Sequence, residues 1–488
     1  MRIQHVLAST LLAVVLSSPL AAPAHAAEGT EIASAMDEDD PFDIFITVDY
    51  AYEAKRAAIK REFAGLPGST ADGAMPIVKD LLYFHDRHTI TPRLQIGLFH
   101  DLEIHVALPI VLSDQRHYDF DQRESVCDFT GDDANCINET NSATFRDGLL
   151  TVGPNGNMGY DAKDPTTNFA TTGKRVFNGV DRSGLDQIHL GVGWAPLNQE
   201  RDDTKPTWVL DAEFRIAIGA PMRFDRANPT LEDSVGRGFN EVRLSTSLSK
   251  RTTWAEPFVS FWWQAPMPMD GATPPPPSST AKPDSQFWNV GFGQDSVYPQ
   301  QSAGTTFGFN GIPWQNPREK QFIEIEVRGK AEAHFEGRGY SEMWEIFALG
   351  GDVSTNPGAP LRVDIDPTRT DEGPIAHPGV TTIENYLTFG GRLGLRAQMG
   401  DRAKFNASFE LDYDQTHRIS WTDAGKELPA CAGGTVTAGC EENNDNVVTP
   451  GSKEVNPLFS RTIDLPGRRY LVDESVTYVL MLSGTLMF

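Results

Sequence analysis

"SVTYVLMLSGTLMF", residues 475–488, alternates apolar side chains with small or polar ones up to its last position. Val476, Tyr478, Leu480, Leu482, Leu486 and Phe488 fall on one face, interrupted only at Gly484. Ser475, Thr477, Val479, Met481, Ser483, Thr485 and Met487 fall on the other. Successive side chains of a strand point to opposite sides of its pleat, so this stretch is a strand with one apolar and one more polar face. A soluble sheet can also end this way, and the rest of the chain has to decide.

Residues 1–26, "MRIQHVLASTLLAVVLSSPLAAPAHA", carry Arg2, an apolar run from Val6 to Leu16, and the small residues Ala24 and Ala26. This is the pattern of a secretory signal peptide, too short and wrongly flanked for a membrane helix. Residues 27–41 follow as an acidic amino-terminal segment, and residues 42–488 repeat one alternating pattern without an evident linker. No later stretch approaches the roughly 18 continuous apolar residues of a helical span. The chain carries a net charge of -25 with 39% hydrophobic residues, 43 glycines and 33 prolines. It therefore reads as exported, without a helical anchor, and as a poor partner for nucleic acid.

Alternating runs fall near 42–56, 81–99, 102–115, 185–197, 205–222, 238–250, 253–265, 319–335, 338–350, 384–399, 403–420 and 471–488. Long connections lie near 57–80, 116–184, 223–237, 266–318, 351–383 and 421–470, and short ones near 100, 201, 251, 336 and 401. An even strand count with short turns at one end and long loops at the other predicts an all-β fold. The expected architecture is a transmembrane antiparallel up-and-down β-barrel of about twelve strands, with short periplasmic turns and long extracellular loops. Tyr50, Tyr52, Trp194, Trp208, Trp254 and Tyr478 suit interfacial girdles.

The faces opposite the apolar ones supply a lumen. "WVLDAEFRIAIGAP" places Asp211, Glu213 and Arg215 there, and "FIEIEVRGKAEAHF" places Glu324, Glu326, Arg328 and Lys330. The hairpin "RLGLRAQMGDRAKFNASFELDYD" adds Arg392, Arg396, Glu410, Asp412 and Asp414. If its turn uses Gly400 to Arg402, residues whose numbers sum to 802 stand opposite each other, which sets Arg392 against Glu410. Eight strands enclose a space that side chains fill, and sixteen to eighteen leave an open channel. Twelve strands with long charged residues inside imply a narrow, mixed-charge passage whose selectivity these twelve residues help to set.

The terminal Phe488, with Leu486 and Tyr478 on its face, resembles the carboxy-terminal strand that the outer-membrane assembly machinery of Gram-negative bacteria recognises. The resemblance implies an outer-membrane location, contact with membrane lipid and lipopolysaccharide, and an assembly signal at those three residues. "GLFHDLEIHVALPIVLSD", "SGLDQIHLGVGW" and "FRIAIGAP", between about residues 90 and 220, resemble outer-membrane transporters associated with phenol and aromatic degradation, relatives of the fatty-acid channel superfamily. Residues 27–41 are shorter than the amino-terminal plug of the fatty-acid channels and lack its Asn-Pro-Ala signature. What the resemblance implies is a channel or transporter for small solutes, with small organic or aromatic molecules in view. The alternative is a structural or binding barrel acting through its long extracellular loops.

Other motifs add less. The run "KRAAIKR" (Lys55, Arg56, Lys60, Arg61) is expected just above the outer leaflet, against lipopolysaccharide phosphates or water. The acidic stretches "DFTGDDANC" and "DEDDPFD" gather the carboxylates that calcium takes as ligands but match no EF-hand spacing; the alternatives are a calcium site and a solvated loop, and the solvated loop is the reading adopted, with no metal site assigned. His417 precedes Ser420 in "THRISW" without the Asn-Gly that a barrel phospholipase requires, and no nucleophile elbow or phosphate-cradling loop occurs. No catalytic residue, enzymatic activity or cofactor is expected.

Cys127 and Cys136 share one long loop, and Cys431 and Cys440 another, each pair enclosing eight residues. Four cysteines allow three pairings, and the matched spacing favours the two local ones. Peptide mapping under non-reducing conditions is expected to recover Cys127 with Cys136 and Cys431 with Cys440. Recovery of a bridge between the loops would contradict this.

Overall fold

The computed structural model describes residues 29–36, 42–62, 77–121, 137–138, 141–150, 159–165, 175–226, 228–268, 299–353, 356, 358–361, 379–420, 460 and 462–488. Twelve antiparallel strands pair in chain order, and the last pairs with the first. They are β1 (Ile44–Glu62), β2 (Ile77–Phe99), β3 in two pieces (Leu102–Ala107, Ile110–Asp119) and β4 in three (Arg175–Asn178, Arg182–Leu185, Gln187–Leu197). β5 (Thr207–Ala217), β6 (Phe239–Ser249), β7 (Ala255–Pro268) and β8 (Ser302–Asn316) follow. β9 (Gln321–His334), β10 (Tyr386–Met399), β11 (Ala403–Asp414) and β12 (Tyr470–Met487) complete the wall.

Closure runs from Phe45 opposite Met487 to Arg61 opposite Tyr470. At its foot Ile44 N–H donates to the Phe488 carbonyl at 3.0 Å, and Phe488 N–H donates back to Ile44 at 2.9 Å. A closed antiparallel sheet satisfies its own backbone groups and leaves no edge, the condition for crossing hydrocarbon with strands. The outer face agrees with that environment. Every strand contributes exposed apolar side chains, among them Ile46, Leu94, Leu112, Val192, Phe214, Leu244, Phe261, Phe307, Ile325, Leu393, Phe409 and Leu482. Trp194, Trp208, Trp254 and Trp314 are exposed beside the short turns and form a girdle at that end. No helix of the described residues is long and apolar enough to cross a membrane.

The sequence reading reached twelve strands through two compensating errors. The run 338–350 is not a strand. Its larger part belongs to a helix, α2 (Trp344–Gly351), every residue of which is buried. Its continuous apolar stretch, Ile346 to Leu349, is too short for periodicity to separate a buried strand from a buried helix. The missing strand is β8, which lies within the segment read as the 266–318 loop. Its glycines and Pro313 conceal the alternation, yet Phe307, Phe309 and Trp314 project outward. The register jumps between Gly311 and Trp314, so Pro313 sits where the ladder is interrupted. The short turn consequently lies at 317–320, not near 336.

β1 and β2 are 19 and 23 residues long, about twice what a bilayer requires. Beyond the belt the faces change character. Outward positions there carry Lys60 paired with Asp473 at 2.5 Å, Lys79 with Glu474 at 2.6 Å, and Arg56 with Asp86 at 2.6 Å. Inward positions become apolar: Ile59, Leu81, Tyr83, Tyr118, Phe177, Tyr470 and Val472 form one buried cluster. Into it pack α2 and the loop around the short helix α1 (Ala143–Arg146), through Ile346, Phe347, Leu149 and Leu150. The wall is thus apolar outside and polar inside within the belt, and the reverse above it.

Amide hydrogen exchange in lipid vesicles is expected to protect residues 302–316 to the same degree as β7 and β9. Exchange of that segment within seconds would contradict the placement of β8.

Candidate functional site in the barrel lumen

Along the lumen the short-turn end comes first, where residues 29–36 lie within the mouth. Ala33 N–H donates to Glu103 Oε2 at 2.6 Å, the Thr30 and Ser249 hydroxyls lie 2.8 Å apart, and Lys404 pairs with Glu31. Gly97 permits this approach, because a Cβ there would stand 2.1 Å from the Ser34 carbonyl oxygen. Part of the acidic amino-terminal segment therefore belongs to the interior of the barrel.

The twelve residues assigned to the lumen from sequence all lie on inward positions, and the structure gathers them into mixed-charge groups. Glu213 lies 2.7 Å from Arg215, 3.6 Å from His105 and 3.7 Å from His189, with Asp211 3.7 Å from His105. Glu324 contacts Arg251 at 2.8 Å and Arg396 at 3.6 Å; Glu326 contacts Arg328 at 2.9 Å and Arg392 at 3.6 Å. Lys330 bridges Glu410 at 2.8 Å and Asp412 at 2.5 Å, and Asp414 meets Lys55 at 3.0 Å. Arg392 does stand opposite Glu410 in the β10–β11 register. The ionic contact nevertheless falls elsewhere, because Lys330 reaches both carboxylates that β11 presents two residues apart. Gly390 makes room for this arrangement: a Cβ would lie 1.8 Å from Asp412 Oδ1.

Toward the long-loop end the lumen is stopped by α2 and its tethers. Arg182 and Glu345, both with fully buried side chains, pair at 3.1 Å, and the guanidinium lies 4.9 Å from the Trp344 ring centroid. Arg182 also donates to the carbonyls of Glu232 at 2.6 Å and Arg223 at 2.9 Å, which ties the 218–238 connection to the same point. Lys55 pairs with Glu342 at 2.7 Å, and Arg61 with Asp147. The sequence places the run "KRAAIKR" just above the outer leaflet, against lipopolysaccharide phosphates or water. Lys55 and Arg61 instead turn inward to hold this plug, while Arg56 and Lys60 stay on the outer wall.

Between plug and charged belt, against β6 to β9, lies a cavity of about 530 Å³. Its walls include Phe239, Trp262 and Tyr340 together with Arg237, Arg243 and Lys330. Here too glycine supplies space, since a Cβ on Gly304 would come within 2.7 Å of the Trp262 ring. Sequence reasoning missed Arg182, Glu345, Arg243 and Trp262. The inward alternation of Arg243 with Glu241 is a usable signal for Arg243, but nothing in the sequence brings Arg182 to Glu345.

Of the carboxy-terminal residues, Tyr478, Leu486 and Phe488 project outward. His417 is buried, its ring stacked 4.1 Å from that of Tyr386. No group of three or more His, Cys, Asp or Glu able to hold a metal occurs among the described residues. Cys127, Cys136, Cys431 and Cys440 lie outside the described residues, as do the "DFTGDDANC" stretch, residues 37–41 of "DEDDPFD" and residues 1–26.

No protein-family model and no curated protein matches the chain. Among solved structures it is similar to an outer membrane channel from Pseudomonas putida F1, with 9% identity, 91% of this chain and 95% of that chain covered, and a TM-score of 0.37. It is also similar to a Pseudomonas aeruginosa FadL homologue (8% identity, 91% and 90% covered, TM-score 0.30). The Escherichia coli outer membrane protease OmpT is a third (8% identity, 94% and 100% covered, TM-score 0.26). Likeness at this level carries no weight in assigning a function.

Replacing Glu410 and Asp412 by Gln and Asn leaves Lys330 without its two anionic partners and removes negative charge from the lumen. In planar bilayers the reversal potential is expected to shift toward anions. An unaltered potential in a conducting barrel would locate selectivity outside this group.

Proposed function

We propose that this protein is an outer-membrane channel for small solutes, whose outer mouth is closed by a plug built from its own loops and opens when that plug moves. The observation that carries the reading is the cavity of about 530 Å³ inside a belted, closed barrel, with ionic and aromatic side chains on its walls. A structural barrel needs no internal space of this kind. Small organic or aromatic molecules fit its mixture of rings and charges better than large polar ones. Three described pieces of the long connections pack inward through Leu149 and Leu150, Tyr160 and Ala162, and Ile346 and Phe347, which favours gating over a role as an outward docking surface.

On this reading the short turns face the periplasm, Phe488 with Leu486 and Tyr478 is read by the assembly machinery, and Lys60 and Lys79 stand nearest to lipopolysaccharide. The charged groups within the belt then filter ions and small solutes, as charge rings do in other pores.

The test is conductance. Replacing Glu345 by Ala leaves Arg182 buried without its carboxylate, a loss of about 3–5 kcal/mol. The plug should loosen, and conductance of purified protein in planar bilayers should rise above that of the unmodified chain. Equal conductance at equal amounts of heat-modifiable, folded protein would contradict a movable plug; no permeation by either protein would contradict the channel.

A further inference from the structure

The four cations lining the cavity differ in what they touch. Arg237 meets Asp186 at 2.6 Å and Glu241 at 3.0 Å, Lys330 is held by Glu410 and Asp412, and Arg328 lies 2.9 Å from Glu326. Arg243 has no carboxylate within ion-pair distance among the described residues. Its cross-strand neighbour Glu213 is directed to Arg215 and His105. Its neighbour on the other side, Gln264, accepts a long contact of 3.5 Å from Arg243 Nη1 while also accepting from Arg215 at 3.1 Å. The Arg243 guanidinium carbon lies 4.4 Å from the Trp262 ring centroid, which fixes the plane of the charged group without neutralising it.

A planar, permanently charged fork beside an indole and within the same chamber as Phe239 and Tyr340 has a definite complement. We infer that this cavity binds a small aromatic carboxylate, its anion on Arg243 and its ring against Trp262 and Tyr340. The guanidinium donates two parallel N–H bonds to a carboxylate. The aromatic walls bury an apolar ring, and Glu241, Glu332 and Glu410 in the same lining repel a second negative charge. A cavity of 530 Å³ exceeds a single-ring acid, which leaves room for its remaining hydration. A second cavity of about 630 Å³, walled by Pro266, Gln301, Phe335 and Arg338, shares Pro299 with the first. The inference rests on the channel reading for its purpose, but not for its chemistry.

The experiment is calorimetric titration of the purified full-length barrel in detergent with benzoate, and with benzyl alcohol as a neutral analogue of the same size. Benzoate is expected to bind more tightly than benzyl alcohol to the unmodified protein. Arg243→Gln should weaken benzoate by about 10- to 100-fold, the worth of a charge-assisted contact, and leave benzyl alcohol unchanged. Arg243→Lys keeps the charge and should restore part of the difference, while heat-modifiable mobility confirms that each variant is folded. Equal affinity for the two compounds, absence of benzoate binding, or an unchanged benzoate affinity in Arg243→Gln would each overturn the site. Benzoate binding that depends on Arg243 in a protein without conductance would leave the site standing and remove the channel.

Discussion

In hydrocarbon a backbone amide has no water to turn to, and the closing ladder between β1 and β12 answers that constraint for the whole wall. Pairing in register from Phe45 with Met487 outward satisfies the first and last strands, as the other neighbouring pairs satisfy the rest. Once the sheet is closed, alternation decides everything else. Half of the side chains in the belt must meet lipid, so the other half are committed to the lumen, and any charge there has to find either water or an opposite charge. The contacts of Glu324 with Arg251 and Arg396, and of Lys330 with Glu410 and Asp412, are the result.

Above the belt water replaces lipid and the same alternation is filled in the opposite sense. Lys60, Asp473 and Glu474 face outward, and Ile59, Tyr470 and Val472 face inward. That inversion lets the extended wall hold a hydrophobic plug, which an inward-polar barrel would not retain. Apolar packing alone has no direction. Orientation comes from a few buried polar anchors, of which Arg182 is central: one guanidinium holds Glu345 of α2 and the backbone of the 218–238 connection together. The cavity beneath it is the space left between a plug positioned by charge and a belt lined by charge.

What could be read from the sequence follows from the same physics. Period-two alternation is a local property, so β10 to β12 were legible, and so was the register that sets Arg392 against Glu410. Inward charge was legible for Glu324, Glu326, Arg328 and Lys330, because charge on a strand of a lipid-facing wall has only one side to occupy. The partners were not legible. Glu410 sits opposite Arg392 but bonds Lys330, a choice made by side-chain reach across two strands. Glycine and proline interrupt the pattern of β8 and hide it, and α2 passes for a strand because its apolar stretch, Ile346 to Leu349, is too short to show a period. A basic run gives no hint that Lys55 and Arg61 turn inward to Glu342 and Asp147. Long-range meetings such as Arg182 with Glu345, 163 residues apart, leave no local trace.

The alternation of environments along one strand is the claim from which the rest descends, and β10 offers the place to measure it. Single cysteines at 392, 393, 395 and 396, in a chain whose four native cysteines are serine, can carry a fluorophore in vesicles containing nitroxide-labelled lipid. Quenching by the lipid is expected at 393 and 395, and quenching by aqueous iodide rather than lipid at 392 and 396. Lipid quenching of equal strength at all four positions would contradict a closed barrel with a polar interior.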